Sequence, residues 1–261
     1  MPDANMRITY NFDTWDAATI TSSTEASTEL ADDNVIDFTP SKRWKTTANT
    51  SNWIKFDLGS VVNLKTIGLF NFNWTSSAVV TLEAHASDSW GSPTYSQVLT
   101  VLTDSDSVVE KRIVFNLDQT FQWWRLTIED SGNSDAFITL GIFKMGVFYE
   151  FVRNIKEGFG ITPSDPSSIS RTPGAYSQGQ VKDRFRTANV MIPVIEDTQR
   201  DKLSAIFNKI GNNKPCILEL DPTNRISEDS MYCRMTTPLP FINRTLNYYD
   251  VTQINFEELT R

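Results

Sequence analysis

The sequence predicts a mainly β protein: an N-terminal β-sandwich of jelly-roll type, then a small α+β domain with one short amphipathic helix. Three observations carry this expectation. Short runs across the first half alternate apolar and polar residues, turn-forming clusters separate those runs, and a single stretch of helical period occurs late in the chain.

The elements follow in order. Phe56 and Leu58, then Ile67 and Leu69, then Val80, Leu82 and Ala84 alternate with more polar neighbours, as half-buried antiparallel strands do. Further strands are expected over 98–102, 112–117, 123–129 and 137–149. In the run at 123–129, Trp124, Leu126 and Ile128 share one face, and Arg125, Thr127 and Glu129 share the other. Clusters at 88–93, 104–107 and 130–135 supply the turns between them.

In the second half Val190, Ile192 and Val194 alternate as a strand. Asp197 is expected to cap a helix, because its carboxylate can accept from the free amides of a first turn. Leu203, Ile206, Phe207 and Ile210 then fall on one helical face, and Gly211 suits a left-handed terminating residue. Three strands follow, at 216–220, 231–235 and 251–258. The stretch 158–180 is rich in Gly, Pro and Ser and has no period, so it is either a linker or an inter-subunit arm. A boundary near 150 is expected, giving domains 1–150 and 151–261. Charge divides at the same place: residues 1–150 hold 19 acids and 10 bases, net −9, and residues 151–261 hold 13 acids and 14 bases, net +1.

Composition excludes several classes. The 261-residue chain carries 24 basic and 32 acidic side chains, a formal net charge of −8, which disfavours nucleic-acid readout through phosphates. No apolar run approaches the ~20 residues of a spanning helix, and the first 30 residues lack the order of a signal peptide, so neither membrane insertion nor export is expected. Cys216 and Cys233 are expected as two buried thiols, although their spacing also suits neighbouring strands. The sequons at Asn49, Asn73 and Asn243 are read as chance.

Two resemblances are legible. The segment Trp53-Ile-Lys-Phe-Asp-Leu-Gly59, followed by Val61-Val-Asn-Leu-Lys-Thr-Ile67, resembles the signature of discoidin-type domains, the galactose-binding-like jelly rolls also found as coagulation-factor C-type modules. Asp37 to Trp44 upstream, and Trp124-Arg-Leu-Thr-Ile128 and Leu140 to Val147 downstream, resemble other segments of that family. The disulfide that joins the termini of the animal members has no counterpart, since this half contains no cysteine. Trp53 and Phe56 are read as core residues, Gly59 as a turn residue and Asp57 as its backbone acceptor. The second half resembles the tail-tube-like domain of phage distal tail and baseplate hub proteins, in its element order, in Lys214-Pro-Cys-Ile-Leu218 and in the ending at 251–259.

That pairing implies a structural virion protein of a long-tailed phage. It would form a ring, hexameric or trimeric, with other tail proteins as partners and a jelly roll on its outside that contacts host cell-surface glycan. The protein would be made in the host cytoplasm and reside in the virion tail. The alternative is a soluble carbohydrate-binding module with no assembly role.

Chemistry is weighed on named residues. No nucleophile-elbow, zincin, P-loop or dinucleotide motif occurs, and no enzyme activity, cofactor or metal is expected. His85, the single histidine, falls opposite Leu82 and Ala84 and is read as solvated. Asp32-Asp33 and Asp104/Asp106 are the carboxylate pairs a glycosidase would need, and Asp32, Asp33 and Asp37 the oxygens a calcium ion would need; hydrated loops are preferred for both. For sugar binding, which pairs an aromatic face with amides or carboxylates, the candidates are Asn71, Asn73 and Trp74, and Trp90 with Tyr95. For a subunit interface they are Arg171, Lys182, Arg184 and Arg186, together with Arg153.

Overall fold

The computed structural model describes residues 4–101, 111–155, 159–171 and 177–260. The expected turn at 104–107, the Asp104/Asp106 pair and parts of the 158–180 stretch lie outside the described residues. In chain order the elements are β1 (Arg7–Thr9), α1 (Asp13–Asp16), β2 (Thr19–Ser22), β3 (Trp44–Lys45), β4 (Asn52–Phe72), β5 (Val79–His85), β6 (Tyr95–Leu99), β7 (Arg112–Glu129), β8 (Thr139–Gly146) and β9 (Phe148–Glu150). The second half adds β10 (Gly160–Ser164), β11 (Ser168–Arg171), β12 (Ser177–Gln180), β13 (Phe185–Glu196), α2 (Asp197–Ile210), β14 (Cys216–Glu219), β15 (Ser230–Met235), β16 (Phe241–Thr245) and β17 (Tyr248–Glu258).

The sandwich is one antiparallel sheet folded on itself. Its order is β3-β8-β4-β7-β5-β6, with β2 also on β4. β4 and β7 pair from Asn52↔Ile128 to Phe70↔Arg112, and the register shifts between Asp57 and Val62. At that shift Gly59 sits at φ +70° and its N–H donates to Asp57 Oδ1 at 2.8 Å. The expected turn is therefore a bulge that bends two long strands from one layer into the other, which is how bulges turn corners. The runs at 56–58 and 67–69, expected as separate strands, are the two ends of β4.

Between the layers Trp15 stacks on Phe56 with centroids 4.2 Å apart, and Phe56 meets Phe143 edge-on at 4.7 Å. Trp124, Leu126 and Ile128 are fully buried in the same core, as their parity predicts. Trp53 corrects an expectation. It lies three residues from Phe56, so the two point to opposite faces, and Trp53 is on the outside.

The second sheet runs β10-β13-β17-β15-β14-β1-β9, with β16 on β17. Its core takes one face of α2 through Leu203, Ile206 and Ile210. The helix is capped by Glu196 and not by Asp197: Glu196 and Gln199 form a capping box, and Asp197 lies in the first turn. Gly211 closes the helix at a positive φ of +54°, as expected, but its ψ of −145° lies outside the left-handed α region. Cys216 and Cys233 are directly opposed on β14 and β15, buried and free, with sulfurs 3.8 Å apart.

Sheet membership differs from the expected division of the chain. β1 pairs with β14 and β9, so the first strand belongs to the second sheet and the sandwich sits between two strands of it. A three-residue strand carries too little pattern to assign from sequence. The sheets meet at a third cluster of Phe12, Phe70, Val114, Ile142, Ile217 and Tyr232. Gly68 permits that approach, since a Cβ there would lie 2.6 Å from Ile217 Cδ1. The buried carboxylate of Glu219 crosses the same junction, accepting from Asn116 Nδ2 at 2.8 Å and Thr66 Oγ1 at 3.2 Å.

Candidate functional site

The outward face of the β2-β4-β7-β5-β6 layer is built by strand parity. Inward Ile54, Phe56, Trp124 and Leu126 force their neighbours outward, and the register lines those neighbours up in rows. One row runs Asp57, Trp123, His85; the next Lys55, Arg125, Glu83; the next Trp53, Thr127, Thr81. Two tryptophans therefore flank a row of charge.

The loop after β5 adds a third. Lys55 Nζ meets Asp88 Oδ2 at 2.9 Å, the Trp90 indole N–H donates to the same carboxylate, and the Arg125 guanidinium lies 4.5 Å from the Trp90 ring centroid. Arg125 also donates from Nε to Glu83 at 2.6 Å. Lys55 Nζ is 5.2 Å from the Trp53 ring and 6.0 Å from the Trp123 ring. Each cation is thus held between an indole and a carboxylate, a geometry that fixes long side chains against a flat aromatic surface. The hydrogen bond from Lys55 holds the Asp88 carboxyl below its ordinary range.

The central row of the face pairs its charges, and the three indoles beside it are half-buried. Asp57, which also accepts from Gln122 Nε2 at 2.8 Å, adds acceptors at one edge. No nucleophile and base converge on it among the described residues. His85 is turned to its own loop, its Nδ1 lying 2.9 Å from the Ser87 carbonyl oxygen and 3.0 Å from the Ser87 amide.

The sequence-derived candidates divide. Trp90 is on this face. Trp74 is not: it is fully buried and stacked on Phe72 at 4.2 Å, so neither ring face can meet a sugar. Asn71 is buried and donates to the Pro40 carbonyl at 2.6 Å, while Asn73 donates to Asp135 and Phe137 and accepts from the Thr139 amide. Both asparagines hold loops together. Tyr95 is the register partner of inward-facing Ala84, meets Trp124 edge-on at 6.3 Å and has its phenol pushed up by burial, so it lies on the core side, away from Trp90. Trp53 and Trp123 were missed as site residues, although counting parity from Phe56 and Trp124 places both outside.

The basic residues also divide. Arg186 is committed internally, to Glu258 at 2.5 Å and to the carbonyls of Glu228 and Ser230. Arg184 pairs with Asp165 at 3.1 Å, and Arg171, Lys182 and Arg153 are exposed. Asp37 is taken by Lys42 at 2.6 Å; among the described residues Asp32 makes no ion pair, and no group of three acidic, histidine or cysteine side chains is arranged to hold a metal.

No protein-family model matches the chain, and no curated protein matches it. Its structural neighbours include carbohydrate-binding modules. They include chitosan-binding module 1 of a chitosanase/glucanase from Paenibacillus sp. IK-5, 19% identical over 50% of this chain and 95% of that one, with a TM-score of 0.39. A Clostridium perfringens module, CpGH89CBM32-5 in complex with GalNAc-beta-1,3-galactose, is 12% identical over 52% and 99%, with a TM-score of 0.39. The lectin domain of lectinolysin complexed with Lewis B antigen is 12% identical over 49% and 92%, with a TM-score of 0.38.

Proposed function

We propose that this chain is a non-catalytic glycan-binding protein and that the outward face bearing Trp53, Trp90 and Trp123 receives the sugar. One observation carries the reading: three half-buried indoles share one sheet face, braced by Lys55 and Arg125, with acceptors at Asp57, Glu83 and Asp88 beside them. Such a surface covers the apolar side of a pyranose while carboxylates take its hydroxyls. Because Lys55/Asp88 and Arg125/Glu83 neutralise each other, the favoured ligand is an uncharged sugar. A glycan array tests this, run with wild type and with Trp53→Ala, Trp90→Ala and Trp123→Ala. Loss of signal in at least two variants supports the face; signal unchanged in all three rejects it.

A second reading is favoured by the β11–β12 hairpin. Every residue described in it is exposed, Ile169 is 76% exposed and nearby Val181 89%, and an isolated two-stranded hairpin is marginal in water. An exposed arm suits packing on another copy of the chain; a ring-forming distal tail component of a phage virion, made in the host cytoplasm, is the form of assembly that the resemblance of the second half implies. Native mass spectrometry tests it. A hexamer or trimer supports it, and a monomer at high concentration counts against it.

A further inference from the structure

Where the sandwich meets the second sheet, the packing leaves a cleft of about 230 Å³. Its apolar lining comes from both sides of the junction: Tyr10, Phe12 and Phe38 from the first part of the chain and Pro215 from the turn after α2. At about 230 Å³ it is smaller than a drug-sized pocket, a size that suits an occupant of one ring.

The polar lining has a simple charge balance. Lys144 is buried, its ammonium 2.6 Å from Asp16 Oδ1 and bonded to the Ile36 carbonyl. Lys209 pairs with Asp13 at the rim. Those two pairs cancel. Lys214, exposed at the mouth, makes no ion pair among the described residues, and its charge acts on both Asp13 and Asp16. One positive charge is left over beside an aromatic wall, and Phe38, 57% exposed, stands there without apolar cover.

We propose that this cleft binds a small molecule carrying one six-membered ring and one carboxylate, the ring against Phe12 and Phe38 and the carboxylate on Lys214. Cation and aromatic wall select together: a ring without charge leaves Lys214 unmatched, and a carboxylate without a ring leaves the apolar wall uncovered. An aromatic carboxylate and a uronic acid share this chemistry. The site is separate from the tryptophan face and does not depend on the glycan reading.

Calorimetric titration of the full chain with benzoate, glucuronate, acetate and benzyl alcohol tests it. Benzoate or glucuronate is expected to bind, and whichever does identifies the source. Acetate and benzyl alcohol are expected to bind at least about tenfold more weakly. Lys214→Gln and Phe38→Ser alter exposed positions and are each expected to weaken binding about tenfold, whereas Trp53→Ala leaves it unchanged. The proposal is overturned if neither carboxylate binds at about 10 mM, if acetate or benzyl alcohol binds as well as they do, or if Lys214→Gln changes nothing.

Discussion

Lys55 and Asp88 meet at 2.9 Å, and this pair ties the loop after β5 to β4, the strand that carries Trp53. The same carboxylate accepts the Trp90 indole N–H, so Asp88 holds both Lys55 and Trp90. Asp88→Asn is therefore expected to release the loop and lower glycan binding while leaving the fold intact, because the loop is exposed. Trp90 is the reporter: its fluorescence should shift in the variant. The same shift should appear in wild type only at acid pH. Asp88 titrates below 3.8, so the pair persists above that value and is lost as pH falls through the lowered pKa.

A second pH effect has the opposite sign. Burial raises the Glu219 carboxyl above 4.5, although Asn116 and Thr66 donate to it. A raised folded pKa means that the native state holds the proton longer than the unfolded chain. Its contribution is full below pH 4.5 and falls as pH rises through the folded value. Urea unfolding of Glu219→Gln against wild type should show the variant gaining relative stability from acid to neutral pH. A constant difference across that range contradicts the assignment.

Packing predictions are direct. Phe56→Ala removes a ring fully enclosed by Trp15 and Phe143, and is expected to cost about 3–5 kcal/mol in chemical denaturation.

Gly68→Ala places a methyl 2.6 Å from Ile217 Cδ1 and from the Phe70 ring, and is expected to cost about 1–3 kcal/mol. Ile217→Val removes the Cδ1 atom, so the double variant should recover part of that loss. No recovery would contradict the role given to Ile217 and trace the cost to Phe70, a neighbour on the same strand.

These positions also show what the sequence can reveal. Strand parity is local, so the buried set Trp124, Leu126 and Ile128 is readable, as is the helical face of Leu203, Ile206 and Ile210. Parity applied across Trp53 and Phe56 also puts Trp53 outside, but reading the segment by its resemblance to a family signature puts both in the core. Trp74 and Trp90 are different. Both follow polar neighbours, and only packing separates them: Trp74 stacks on Phe72 and is enclosed in the sandwich core, while Trp90 rests on Arg125. The continuity of β4 through Gly59 is hidden for a related reason: a glycine at positive φ serves a bulge as well as a turn. The return of β1 to β14 is a contact across more than 200 residues that no local pattern encodes.

The double variant Trp53→Ala/Trp123→Ala, titrated with the best glycan found for wild type, tests the central claim most directly. Its fold is checked by far-ultraviolet circular dichroism. The account predicts wild-type binding of an uncharged oligosaccharide and at least about a tenfold loss in the folded double variant. Equal affinity in the two proteins, or no glycan bound by wild type, contradicts it.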